Sequence, residues 1–255
     1  MKFALIIPTR GDRPEFIKQC KFLISRQTLQ PTEVIWMDYP PESNLKDITQ
    51  RYRRGVEQAT KNGHNFVVFW EDDDWYHPKY LEWLISEWQK KGKPSAFGVG
   101  ETYYYHHSLG GLLHYNHPQR ASAFCTLLKL PVRMSWPADS QPFLDMHIYK
   151  TIGMKTVMFP KNQIYAIGIK HGIGLSGGGG HRARHGYKIS PKENRDWFYR
   201  NVGEDIKFYD GIKTHMQVPQ DHKRIIKNNI PKVQNVQKRK ITRINTNPQL
   251  RRRRK

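Results

Sequence analysis

The chain has 255 residues, with 43 Lys and Arg against 22 Asp and Glu and a formal net charge of +21. A hydrophobic share of 37%, with 7 Trp, 13 Tyr and 11 Phe, is enough for a substantial core and excludes wholesale disorder. Two cysteines, Cys20 and Cys125, exclude a disulfide scaffold and a Cys-rich zinc site, and no apolar run approaches the roughly 18 residues of a membrane helix.

Phe3 to Ile7 is a short continuous apolar run, the pattern of a strand buried on both faces. It stops at Pro8, too short for a secretory signal core, so a soluble protein of a reducing compartment, the cytoplasm, is expected. Pro8 to Pro14 reads as a turn, and Pro14 and Glu15 suit a helix's first turn. Phe16, Ile17, Cys20, Leu23 and Ile24 then recur at helical spacing. Val34 to Met37 reads as a second strand ending at Asp38. Ser43 or Asn44 is placed to cap a second helix with the stripe Leu45, Ile48, Tyr52, Val56 and Ala59. Phe66 to Trp70 is a third strand, followed at once by Glu71-Asp72-Asp73-Asp74. Pro78 opens a third helix with Leu81, Leu84, Ile85 and Trp88 on one face.

Strand and helix alternate three times, which predicts an α/β fold with a doubly wound, mostly parallel sheet flanked by helices. Such sheets bind ligands beyond the carboxyl ends of their strands. Those ends here carry Pro8-Thr9-Arg10, Asp38 and the acidic quartet. Residues 97–130, rich in Tyr, His and Gly, are expected to form a β excursion; a helix is expected from Gln141 to Ile152 and a strand over 163–169. Between His222 and Lys255 stand 13 Lys and Arg and no acid. A segment of that composition is expected to stay disordered until it meets a polyanion, which points to DNA, RNA or an anionic surface.

Four adjacent carboxylates repel, and a cation relieves them. Hard oxygen donors suit Mg²⁺ or Mn²⁺, which bridge carboxylates to phosphates. A solvated acidic turn is the plainer reading, but it accounts less well for a quartet placed directly after a buried strand. The four histidines His106, His107, His114 and His117 fit no zinc spacing and are read as structural or acceptor-facing.

The first ~175 residues resemble the family 2-like nucleotide-sugar glycosyltransferases of the GT-A fold. Ile6-Ile7-Pro8-Thr9-Arg10 resembles that family's first strand and nucleotide-binding turn. Gln27-Thr28, Pro31 and Glu33-Val34 resemble the path into its second strand, which ends in an acid, here Asp38. Tyr52-Arg53-Arg54-Gly55 with Ala59 resembles the segment before the metal motif, and Phe66 through Pro78 resembles the D-x-D signature with its trailing Trp and Pro. Glu71 stands where the family has the first acid of D-x-D; Asp72-x-Asp74 is the other register.

The resemblance implies a metal site of Glu71 and Asp73 assisted by His171, holding Mn²⁺ or Mg²⁺. It implies a donor site of Pro8, Thr9, Arg10, Asp38, Arg54 and Asp72, and Asp145 as the base of an inverting transfer. The glycine-rich stretch 172–180 reads as a lid or phosphate-contacting loop, or as a linker. Tyr104, His107, Ser176, His181, Arg182 and Arg184 are candidates for contacts to acceptor or phosphate. On this reading 1–185 is the GT-A glycosyltransferase domain, 186–231 a C-terminal helical or irregular appendage and 232–255 a disordered basic tail.

A UDP-sugar, UDP-glucose above all, is the expected donor. The basic tail makes DNA bearing 5-hydroxymethylcytosine or another hydroxymethylpyrimidine the expected acceptor, as in phage-type hypermodification enzymes; the compartment is then the host cytoplasm. A transferase for cell-surface polysaccharide or lipopolysaccharide, and a non-catalytic nucleic-acid-binding protein on the same scaffold, are the alternatives.

Overall fold

The structure, a computed structural model, describes residues 1–40, 46–171 and 186–212. Its first half follows the predicted alternation: β1 (Phe3–Pro8), α1 (Pro14–Ser25), β2 (Glu33–Met37), α2 (Ile48–Lys61) and β3 (Phe66–Phe69). A two-residue strand, β4 (Trp75–Tyr76), precedes α3 (Tyr80–Lys90) and β5 (Ala96–Val99). The Tyr- and His-rich segment forms β6 (Glu101–His106) and β7 (Gly111–Asn116), then β8 (Thr126–Lys129). The remaining elements are α4 (Leu144–Ile152), β9 (Lys155–Val157), β10 (Ala166–Lys170), β11 (Lys188–Ile189), α5 (Pro191–Val202) and α6 (Ile206–Asp210).

Two sheets result. The larger has the order β2-β1-β3-β8-β5-β9. β1 lies parallel between β2 and β3, with Leu5 opposite Val34 on one side and Val68 on the other. β8 runs antiparallel to both β3 and β5, and β9 is parallel to β5. The expectation of a mostly parallel sheet therefore holds with β8 as the exception. The second sheet, β11-β7-β6-β10-β4, takes in the expected β excursion as β6 and β7 and the strand expected over 163–169 as β10. In it β10 pairs parallel to β6 and antiparallel to β4.

Every residue of β1 is buried. Alternation of side chains along a strand sends Phe3, Leu5 and Ile7 to the core that includes Phe16, Cys20 and Leu23 of α1. Ala4 and Ile6 go to the opposite core with Tyr52, Val56 and Ala59 of α2. Gly55 is what lets α2 sit this close: a Cβ there would lie 2.4 Å from the Ile6 Cγ2 methyl, and Ile6 is fully buried. Overpacking of this kind outweighs the roughly 1 kcal/mol by which Ala exceeds Gly in a helix, so Gly55→Ala should lower stability by about 1–2 kcal/mol. A denaturant midpoint at or above that of the unaltered protein would contradict this packing.

Residues 186–212, expected as an appendage, contribute Phe198, Val202, Ile206, Tyr209 and Ile212 to the core that β1 and α1 share. Phe198 stacks on Tyr105 with centroids 4.2 Å apart, and Asp205 accepts from the indole N–H of Trp75 at 2.8 Å. Asp205 also pairs with Arg26. The aromatic run around the quartet is thus core: Trp70 stacks on Tyr76 at 3.7 Å. The helix expected from Gln141 begins at Leu144. Pro142 disfavours helical backbone at the residue before it, which delays the start.

Candidate active site

β1, β2 and β3 run in one direction, so their carboxyl ends share an edge. The turn after β1 and the quartet after β3 meet there. Thr9, buried, donates its hydroxyl to Asp72 Oδ2 at 2.6 Å. Thr9 N–H donates to Met37 O at 3.2 Å, tying in the end of β2. Arg51, on the buried face of α2, clamps the two ends, donating to Thr9 O at 2.8 Å and Met37 O at 2.7 Å.

The four acids have different surroundings. Asp72 accepts from Thr9 and from Arg13, whose Nη2 lies 2.6 Å from Oδ1. Asp73 Oδ2 accepts from Arg13 Nη1 at 2.8 Å and lies 2.9 Å from His171 Nε2. Asp74 Oδ1 accepts from the backbone N–H of Ile169 at 2.7 Å. Asp74 Oδ2 is buried with no hydrogen-bond partner among the described residues. Glu71 is fixed through its backbone, whose N–H donates to Tyr76 Oη at 2.9 Å. Glu71, Asp73 and Asp74 each offer an oxygen, and those oxygens lie within 4.8 Å of one another.

This grouping bears on the register. Glu71, Asp73 and Asp74 come together, and Asp72 is turned to Thr9 and Arg13. Three hard oxygen donors with one buried oxygen unsatisfied fit a small divalent cation. His171, buried, stands beside Asp73.

Electrostatics separates the acids further. Burial lifts the Glu71 carboxyl to about 7, against the pull of Lys170. Burial likewise lifts Asp72 to about 6, with Arg13 opposing, and takes Asp74 well above the carboxylate range, with Lys170 opposing. Burial also pushes Asp73 upward, but the charge of Arg13 and the hydrogen bond from His171 outweigh it and hold this carboxyl far below its ordinary value. Asp73 is therefore the acid of the four most firmly held in its ionised form.

The raised Glu71 carboxyl makes the stability of the fold depend on pH. A carboxyl raised on folding stabilises the fold below its unfolded value of 4.5 and loses that contribution as pH rises through about 7. A divalent ion needs the ionised form and should offset the loss. The melting temperature of metal-free Glu71→Gln should fall less between pH 5 and pH 8 than that of the unaltered protein. The increment given by Mn²⁺ should grow over the same window, and grow less in Glu71→Gln. Parallel pH curves for the two proteins would refute the assignment.

The other expected residues are distributed as follows. Pro8 ends β1, and Arg10 pairs with Asp12 rather than with the quartet. Asp38 is exposed just past β2. The Arg54 guanidinium lies 4.9 Å over the Tyr39 ring, beside Arg51 at 4.3 Å from the same ring. Tyr104 reaches the site through Lys170, whose ammonium sits 4.7 Å over its ring. His107 follows β6 in a short 3-10 turn. Ser176, His181, Arg182 and Arg184 lie outside the described residues, as does the glycine-rich stretch 172–180.

Asp145 stands in the first turn of α4, where its Oδ2 lies 3.6 Å from Arg120 Nε. Only Gly153 and Met154 separate α4 from β9, which enters its sheet in the direction of β5. The C-terminus of α4 is therefore at the amino edge of the sheet and its N-terminus at the carboxyl edge, the edge that carries the quartet. Burial raises the Asp145 carboxyl, against the charge of Arg120.

Three residues that organise the site escaped the sequence: Arg13, Arg51 and Lys170. Arg13 had a signal, since it stands directly before the Pro14 helix start and closes the turn after β1. Arg51 had one too, lying four residues after Asp47, with which it pairs. Lys170 had only its place beside His171.

No family model matches the chain, and no curated protein matches it. Among solved structures, the chain is similar to S. aureus TarS 1–349 in complex with UDP-GlcNAc, with 11% identity and a TM-score of 0.46 over 87% of this chain and 78% of that one. The same protein in complex with UDP gives 13% identity and a TM-score of 0.42 over 88% and 78%. A197 from STIV gives 12% identity and a TM-score of 0.40 over 65% of this chain and 89% of that one. The α/β assignment, mixed sheets flanked by helices, is carried by the strand order itself. Among the described residues no helix is long and apolar enough to cross a membrane.

Proposed function

We propose that the protein is a GT-A glycosyltransferase. It moves a sugar, glucose in our reading, from a uridine diphosphate donor to an acceptor hydroxyl. One observation carries the reading: at a single sheet edge the acids after β3 meet the Thr9–Arg13 turn after β1, with three carboxylate oxygens grouped to hold a cation. Glu71, Asp73 and Asp74 would hold Mn²⁺ or Mg²⁺, with His171 supporting Asp73. When bound, the ion would neutralise charge developing on the departing diphosphate.

The remaining chemistry belongs to the chain. Arg13 and Lys170 supply fixed positive charge beside the acids. Asp38, Arg54 and the Pro8–Arg10 turn would take the nucleoside side of the donor. Asp145 is the base that takes the acceptor hydroxyl proton, which makes the transfer inverting.

For the acceptor we propose a hydroxymethylpyrimidine in DNA, 5-hydroxymethylcytosine first. The net charge of +21 and the acid-free basic segment 222–255 favour a polyanionic partner. A 5-hydroxymethyl group projects into the major groove, where a protein edge can reach it.

The test mixes the protein, Mn²⁺ and UDP-glucose with two DNAs that differ only in carrying 5-hydroxymethylcytosine or cytosine. Nucleoside mass spectrometry should find a hexose on the first and none on the second. UDP release without modified DNA would keep the transferase and discard the acceptor. Neither signal, across a panel of nucleotide sugars, would discard both.

A further inference from the structure

The acid cluster carries a cation of its own. Arg13 lies just ahead of α1, and its side chain is folded inward, 12% exposed. Its two terminal nitrogens are shared between neighbours of the quartet, Nη2 donating to Asp72 Oδ1 at 2.6 Å and Nη1 to Asp73 Oδ2 at 2.8 Å. Nη1 also lies 3.3 Å from His171 Nε2. Nε is buried without a hydrogen-bond partner among the described residues. Two carboxylates hold this guanidinium, and one of them, Asp73, belongs to the group of three placed to hold an ion.

The two uses of Asp73 conflict. Its Oδ2 is already engaged by Arg13 and by His171. A carboxylate oxygen has about two lone-pair sites, so an ion would have to take Oδ1 of the same carboxylate, directly beside the guanidinium. A guanidinium does not lose its proton in a protein, so it cannot yield by neutralisation. A dication beside it would be repelled strongly in a site this buried. Arg13 can leave only for another anion, and a diphosphate matches its planar fork better than any other part of a nucleotide sugar.

We propose that Arg13 and a divalent cation exclude one another at Asp73, and that the donor's diphosphate admits the cation by drawing Arg13 away. The proposal rests on the nucleotide-sugar reading above and deepens it. Arg13 is then a positioning residue that couples two ligands. In the absence of nucleotide the ion binds weakly because Arg13 holds its ligand. Removing the guanidinium strengthens binding of the ion alone and removes that part of the ion's dependence on nucleotide, since coupling between two ligands is reciprocal.

The test measures Mn²⁺ binding by electron paramagnetic resonance, with and without UDP, on the full chain. Arg13→Gln should raise Mn²⁺ affinity without UDP by roughly tenfold, and the enhancement UDP gives should shrink by the same factor. Arg13→Lys keeps the charge and should stay near the unaltered protein. Because Arg13→Gln leaves Asp72 buried without its countercharge, the double variant Arg13→Gln/Asp72→Asn serves if the single one misfolds, and a smaller gain in the same direction is expected from it, since a neighbouring negative charge is lost as well. Unchanged or weaker Mn²⁺ affinity in the folded Gln variants, or an equal shift with Lys, would overturn the exclusion while leaving the metal site standing. No Mn²⁺ binding by any of these proteins, with or without UDP, would overturn the metal site and the exclusion together.

Discussion

Asp73→Asn is expected to lower kcat/KM for sugar transfer by on the order of 10³-fold, about 4 kcal/mol of transition-state stabilisation, without unfolding the protein. Asp73 is the acid whose ionised form the fold protects, through Arg13 and His171. It is also one of the three acids grouped to hold an ion. Asparagine keeps the shape and one acceptor oxygen but not the charge. Arg13 retains Asp72, so the loss should fall on turnover more than on the melting temperature. Asp72→Asn gives the contrast: Asp72 faces Thr9 and Arg13, outside the group of three, and its loss should cost only roughly tenfold. Steady-state kinetics with Mn²⁺, alongside thermal melts, checks both. An Asp73→Asn enzyme within tenfold of the unaltered one would remove the metal assignment.

Much of this edge was legible because it depends on short-range pattern. An apolar strand buried on both faces, a turn, and an amphipathic helix repeat three times, and strands of that kind align their carboxyl ends. The quartet could be placed at that edge from its position directly after Phe66–Trp70. Which of its members would group could not be read. Adjacent side chains diverge according to how the chain bends out of β3, and that bend is set by β4 pairing with β10, a partner distant in sequence. Ile169 N–H holding Asp74 belongs to the same long-range pairing. Arg13 was passed over for a related reason. As a sequence it is one more charge in a turn rich in them; only in the fold does its fork fall between two acids some sixty positions later. The strands within the β excursion could not be bounded because Tyr103, Tyr104 and Tyr105 give no polar–apolar alternation, although β6 and β7 form a paired hairpin there.

The second large effect is expected at Asp145. Asp145→Asn should lower kcat by about 10²–10⁴-fold, the usual cost of losing a general base. The carboxyl stands in the first turn of α4, at the carboxyl edge of the sheet, and burial raises it from its ordinary value. A raised value makes the ionised carboxylate a stronger base. The base must be unprotonated to act, so the rate should fall as pH drops through the raised value, and Asp145→Asn should lack that acid limb. Arg120, 3.6 Å away, opposes the shift. Arg120→Gln should therefore move the limb to higher pH while preserving most of the rate above it. A purely helix-stabilising Asp145, favoured by its place near a helix N-terminus, predicts something else: a lower melting temperature with the pH profile unmoved. A pH–rate series on the three proteins separates the two roles. An acid limb identical in all three would strip Asp145 of the role of base.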